Sequence, residues 1–308
     1  MVDSVRFRGP TVAGIAVLGT LMAAGGAAAD SRSGDFDGDG FDDLAVGIQG
    51  EVVGAGAGAV HVIYGGRNGL SRRDRIFTRA TRGVKGPPGQ DGFGSALAAG
   101  DFDGDGFDDL AAGAPFDTTV LPNTGSVQIF YGGRNGLSAR GDQRLVHGRG
   151  GFGPAPGDYD GLGWTLAAGN LVGDRSDDLA VTTFNGRAGG VDNAGYVEVL
   201  PGSAAGLRTA NARRFSEASR GLSDTPESDD RFGLALAIGD VAKSRHDDLA
   251  IGVPAETFGG GATSAGAVHV LFGSRRGIRG RGSQYLDQGV LNRDGIGVDG
   301  TPEVQEFF

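Results

Sequence analysis

Two nine-residue stretches carry the side chains best suited to chemistry. Asp35-Phe36-Asp37-Gly38-Asp39-Gly40-Phe41-Asp42-Asp43 sets carboxylates at loop positions 1, 3, 5 and 9. Asp101-Phe102-Asp103-Gly104-Asp105-Gly106-Phe107-Asp108-Asp109 repeats the pattern. Alternating aspartates aim their carboxylates at one centre, and calcium is a hard cation that takes six to eight oxygens. Gly40 and Gly106 permit the sharp turn, and the carbonyls of Phe41 and Phe107 are placed to supply the oxygen at position 7. Calcium is therefore expected in both loops. The metal ligands are Asp35, Asp37, Asp39, Phe41 and Asp43 in the first, and Asp101, Asp103, Asp105, Phe107 and Asp109 in the second. Without a cation, two carboxylates about 5 Å apart at an effective dielectric of about 20 repel by about 3 kcal/mol. An EF-hand loop begins the same way but needs a bidentate acid at position 12 between two helices. That position is Val46 or Ala112 here, and both flanks read as strands. A solvated Asp-Gly turn is the plain alternative, and two copies at one point of a repeat argue against it.

Two later loops have lost ligands. One offers Asn170, Val172, Asp174 and Asp178, with Arg175 in place of the turn glycine. The other keeps only Asp240 and Asp248, with Ala242 and Ser244 where acids would stand and Lys243 and Arg245 inside. Affinity follows ligand charge count, so both are expected to stay empty of calcium, with basic side chains replacing the ion.

These loops must be held by repeated elements. The steps between Asp43, Asp109, Asp178 and Asp248 are 66, 69 and 70 residues. A second landmark keeps phase: Gly58-Ala59-Val60-His61-Val62, Gly125-Ser126-Val127-Gln128-Ile129, Gly195-Tyr196-Val197-Glu198-Val199 and Gly266-Ala267-Val268-His269-Val270. A third is Phe93-Gly94, Leu162-Gly163 and Phe232-Gly233. Each unit has a hairpin through the Asp-Gly loop, a β-branched and aromatic third strand, and a fourth strand expected near Gln143 to Val146 in the second unit. Four strands per repeat predict one propeller blade, and a blade must stack on neighbours to bury both faces. Trp164, the single Trp, is expected to pack between blades.

Phe93-Gly94, the Asp-rich loop and Gly113-Ala114-Pro115 together resemble the FG-GAP repeat of integrin α subunits, of glycosylphosphatidylinositol-specific phospholipase D and of secreted bacterial proteins. The resemblance implies an all-β fold, a β-propeller of four-stranded antiparallel blades, with position 9 as the last acidic calcium ligand. It covers residues 35 to 308, and the third repeat departs with Thr182-Thr183-Phe184 in place of Gly-Ala-Pro. The expected organisation is a secretory signal peptide over 1–29 and repeats over 30–308, divided near 30–90, 91–159, 160–229 and 230–306. Such propellers have seven blades, whereas about four are present, so an incomplete ring or open arc is expected. The first loop starts five residues after Ala29, which leaves no room for a leading strand on this reading, and Phe308 aligns with the Phe of a further Phe-Gly.

Composition agrees. Gly is 61 of 308 residues, about three times ordinary usage, which fits many tight turns. A net charge of −10 argues against nucleic acid. Arg6 and Arg8, the uncharged stretch from Thr11, and Ala27-Ala28-Ala29 make the export signal. Cysteine is absent, so no disulfide braces the product. No Gly-x-Ser-x-Gly elbow, His-Glu-x-x-His or P-loop occurs, and the four His residues are scattered. Arg140-Gly141-Asp142 is an integrin-type tripeptide at the frequency composition alone would produce. The expected function is an extracellular calcium-binding adhesion module for an unidentified protein or glycan. Loops such as 116–124 and 224–230 would carry specificity. The alternative is the propeller portion of a secreted hydrolase.

Overall fold

The computed structural model describes residues 29–53, 56–86, 89, 91–256 and 266–287. The body of the expected signal peptide and the final repeat landmark, including Phe308, lie outside them. The described residues form four antiparallel sheets of four strands each, in strict sequence order, and one 3-10 turn at Thr209–Asn211. The first blade is β1 (Ala29–Gly34), β2 (Asp43–Val53), β3 (Gly56–Ile63) and β4 (Asp74–Phe77). The second is β5 (Leu97–Gly100), β6 (Asp109–Ala114), β7 (Ser126–Tyr131) and β8 (Ser138–Leu145). The third is β9 (Leu162–Gly169), β10 (Asp178–Thr183), β11 (Tyr196–Leu200) and β12 (Arg213–Phe215). The fourth is β13 (Ala235–Gly239), β14 (Asp248–Val253), β15 (Ala267–Leu271) and β16 (Gln284–Leu286).

Two details correct the sequence reading. The first blade does have a leading strand: β1 pairs with β2 from Ala29↔Ile48 to Gly34↔Asp43, so six residues before the loop suffice. The fourth strand of the second blade begins at Ser138, because a register shift between Ile129 and Tyr131 lets the chain join β7 early.

The blades stack face to face, so both faces of their middle strands are covered. β6, β10 and β11 are buried at every position. Val60, Val62 and Phe77 of the first blade meet Leu97, Leu110 and Phe130 of the second. Ile129 and Leu145 meet Leu162 and Leu179 at the next junction, and Val197 and Phe215 meet Leu249 and Ile251 at the third. The first strands β1, β5, β9 and β13 lie beside one another in succession. That is propeller packing, and the four blades close no ring among the described residues.

Close approach at these junctions needs glycine. A Cβ on Gly47 or Gly113 would fall 2.0 or 2.1 Å from the carbonyl oxygen of Gly94 or Gly163 in the following blade. Gly94 and Gly163 themselves sit at φ +85° and +86°, a region that side-chain-bearing residues avoid.

Candidate metal centre

The aspartate loops join the first and second strands of their blades. Carboxylate oxygens of Asp35, Asp37 and Asp39 lie within 4.8 Å of one another, as do those of Asp101, Asp103 and Asp109. The position-1 aspartate orders its own loop. Asp35 Oδ1 accepts the N–H of Asp39 at 3.1 Å and Oδ2 that of Gly40 at 2.9 Å. Asp101 likewise accepts from Gly104 at 2.7 Å and Gly106 at 3.0 Å. Oδ1 of Asp37 is buried without a hydrogen-bond partner, an orphan acceptor that a cation would satisfy. Its other oxygen pairs with Arg73, whose guanidinium lies 4.0 Å above the Tyr64 ring.

The structure gathers three of the four predicted carboxylates in each loop. Asp43 lies outside the first cluster and Asp105 outside the second. Phe41 is exposed, while Phe107 packs against Gly38 of the preceding loop. Asp43 and Asp109 are buried and have a further task. Asp43 accepts from Phe36 at 2.9 Å and Gly65 at 2.7 Å, and Asp109 from Phe102 and Gly132, both at 2.8 Å. Burial pushes Asp43 up to about 6 and Asp109 up to about 8, against the pull of those N–H groups, and the nearby aspartates add to the rise.

The adjacent aspartate makes a different bond. Asp108 Oδ2 accepts the N–H of Asp35 in the preceding blade at 2.9 Å, Asp177 that of Asp101 at 3.1 Å, and Asp247 that of Asn170 at 2.8 Å. The doublets of the second, third and fourth blades thus divide their labour: the first residue grips the previous blade and the second clamps its own. Sequence reasoning missed this, although the doublet recurs in all four repeats.

The two depleted loops keep the same backbone. Asn170 Oδ1 accepts from Gly173 at 2.6 Å, and Asp240 accepts from Ser244 at 2.7 Å and Arg245 at 3.0 Å. Lys243 and Arg245 adopt φ of 54° and 70° where the first two loops have glycine. Arg175, Lys243 and Arg245 are exposed, and among the described residues none forms an ion pair with an acidic side chain. Backbone N–H groups hold these loops closed.

The tripeptide signal dissolves. Asp142 is 2% exposed and accepts from Lys85 N at 2.9 Å and Gln128 Nε2 at 2.5 Å, so it belongs to the interior of the second blade. Trp164 packs as expected, stacked on Phe184 at 4.3 Å and edge-on to Phe116 at 5.8 Å. Phe116, which touches it, is exposed, as are Leu121 and Tyr159. Tyr159 N donates to Pro122 O at 2.8 Å, which joins the two segments that carry these rings.

Residues 29–63 and 93–130 match the FG-GAP repeat. The chain carries FG-GAP repeats. The phosphatidylinositol-glycan-specific phospholipase D of Bos taurus is 34% identical over 153 residues, 48% of this chain and 17% of that protein. Integrin alpha-PS5 of Drosophila melanogaster is 43% identical over 86 residues, 28% of this chain and 8% of its own. Integrin alpha-PS2 of the same organism is 32% identical over 219 residues, 70% of this chain and 13% of its own. The FG-GAP chain therefore spans under a fifth of the length of these relatives and resembles the integrin alpha propeller. No helix among the described residues is long and apolar enough to cross a membrane.

Proposed function

We propose that this chain is an extracellular calcium-binding propeller module that binds a protein or glycan, with calcium fastening the first two interstrand loops. The observation that carries the reading is the convergence of three carboxylates within 4.8 Å in each of two loops at one repeat position. Calcium relieves their repulsion and satisfies the orphaned Asp37 oxygen. The binding surface is the exposed group of Phe116, Leu121 and Tyr159 beside the Trp164–Phe184 stack, since aromatic faces suit both protein side chains and sugar rings. Export through residues 1–29 places the module where calcium is plentiful.

Isothermal titration of the full chain with calcium chloride tests the loops. Asp37→Asn and Asp103→Asn are each expected to remove one binding event. Unchanged stoichiometry in both variants sinks the reading. The phospholipase likeness supports a second reading, the propeller portion of a secreted hydrolase. Esterase or phosphodiesterase turnover by the purified full chain would favour it.

A further inference from the structure

Buried polar side chains between successive blades follow the same repeat as the loops. At the first junction Arg79, two residues after Phe77, is enclosed between blades. Its Nε donates to Asp91 Oδ2 at 2.6 Å, and its Nη2 to Ser126 Oγ at 2.9 Å and Asp117 Oδ2 at 3.3 Å. Nη1 reaches Gln128 Oε1 at 3.3 Å. Arg79 thus stands between two buried acids, and Arg144 Nη2 pairs with Asp117 as well.

The second junction keeps this plan. His147 follows Leu145 at the same offset, and Nε2 lies 2.7 Å from Glu198 Oε2, with both side chains buried. Asp160 and Glu198 hold the repeat positions of Asp91 and Gln128.

At the third junction the aligned residue is Glu217, two after Phe215. Asp230 stands at the position of Asp91 and Asp160, Glu256 at that of Asp117, and His269 at that of Gln128 and Glu198. A base has become an acid. Carboxylate oxygens of Glu217, Glu227, Asp230 and Glu256 lie within 4.8 Å of one another, and only Glu227 is exposed. Among the described residues neither oxygen of Glu217 accepts a hydrogen bond from a nitrogen or hydroxyl donor. His269 is fully buried, has no partner on either ring nitrogen, and points Nε2 at Glu217 Oε1 from 3.8 Å. A simple exchange of acid and base across the junction does not account for this. The 3.8 Å gap exceeds hydrogen-bond length. Crowded buried carboxyls are costly unless a proton or a cation is shared among them.

We propose that the third junction binds a divalent metal cation through Glu217, Asp230 and Glu256, with Glu227 closing the site towards solvent and His269 offering a nitrogen. The ion takes the place that Arg79 and His147 hold at the other junctions. An oxygen-rich set with one neutral imidazole suits calcium or manganese. The site is separate from the aspartate loops and joins two blades instead of two strands.

The test uses the full chain with Asp37→Asn and Asp103→Asn, which removes ligands from both loops. It is dialysed against calcium chloride or manganese chloride, and bound metal is counted by elemental analysis. The same count is taken after adding Glu217→Arg or Glu256→Gln, and for those two substitutions in the otherwise unchanged chain. Loss of one ion per chain in both settings supports the site. Glu217→Arg supplies the guanidinium used at the first junction, so this variant is expected to fold and to lose part of the wild-type shift in thermal midpoint on chelation. A count unmoved by either substitution, with either metal, overturns the proposal whatever the loops do.

Discussion

The second aspartate of each doublet separates a structural role from metal binding. Asp248 accepts from Ala242 and Gly273, both at 2.9 Å, in a loop that has lost its other acids. Asp248→Ala leaves two backbone donors without their acceptor and should cost about 2–4 kcal/mol in urea unfolding, equally with calcium or chelator. Asp103→Asn should destabilise only when calcium is present, because Asp103 contributes to the cation cluster and not to that clamp. Protonation gives a second handle. In chelator, folded Asp109 keeps its proton to about 8, whereas an unfolded aspartate releases it near 4. The folded state then binds more protons across that window, so stability is full below pH 4 and is lost as pH rises towards 8. Melting scans from pH 5 to pH 8 should show this decline with chelator and a smaller one with calcium, which competes with the proton.

Among the elements, what was legible from sequence depended on locality. Strand hairpins, the Asp-Gly loops and the glycine landmarks are spelled in contiguous residues, so the four blades could be read directly. The inter-blade bonds could not, because their partners are distant in the chain: Arg79 meets Gln128 49 residues away, and Asp108 meets Asp35 73 away. Their signal existed only as identical offsets from landmarks, seen once the blades are superposed. The Arg-Gly-Asp tripeptide shows the converse: a contiguous string says nothing of burial, and Asp142 lies inside the blade. Gly113→Ala tests the packing that the landmarks encode. Its Cβ would meet a backbone carbonyl that cannot swing aside, so a loss of about 1–3 kcal/mol is expected by chemical denaturation.

Across the molecule, position 2 of each loop records whether a following blade covers it. Phe36, Phe102 and Leu171 are fully buried, whereas Val241 is 70% exposed. Phe102→Asp should therefore abolish cooperative melting, while Val241→Asp should change stability by no more than about 0.5 kcal/mol. The grip made by the first aspartate of each doublet is the same at every junction, so by that bond alone any blade could follow any other. The enclosed polar groups are not the same. The second blade brings Asp91 and Asp117 and needs the arginine of its predecessor; the third brings Glu198 and takes a histidine; the fourth meets a glutamate. A chain with its middle modules transposed would keep every universal handshake yet set the wrong charges face to face. The interior of each junction therefore carries information about blade order that the shared backbone grip does not.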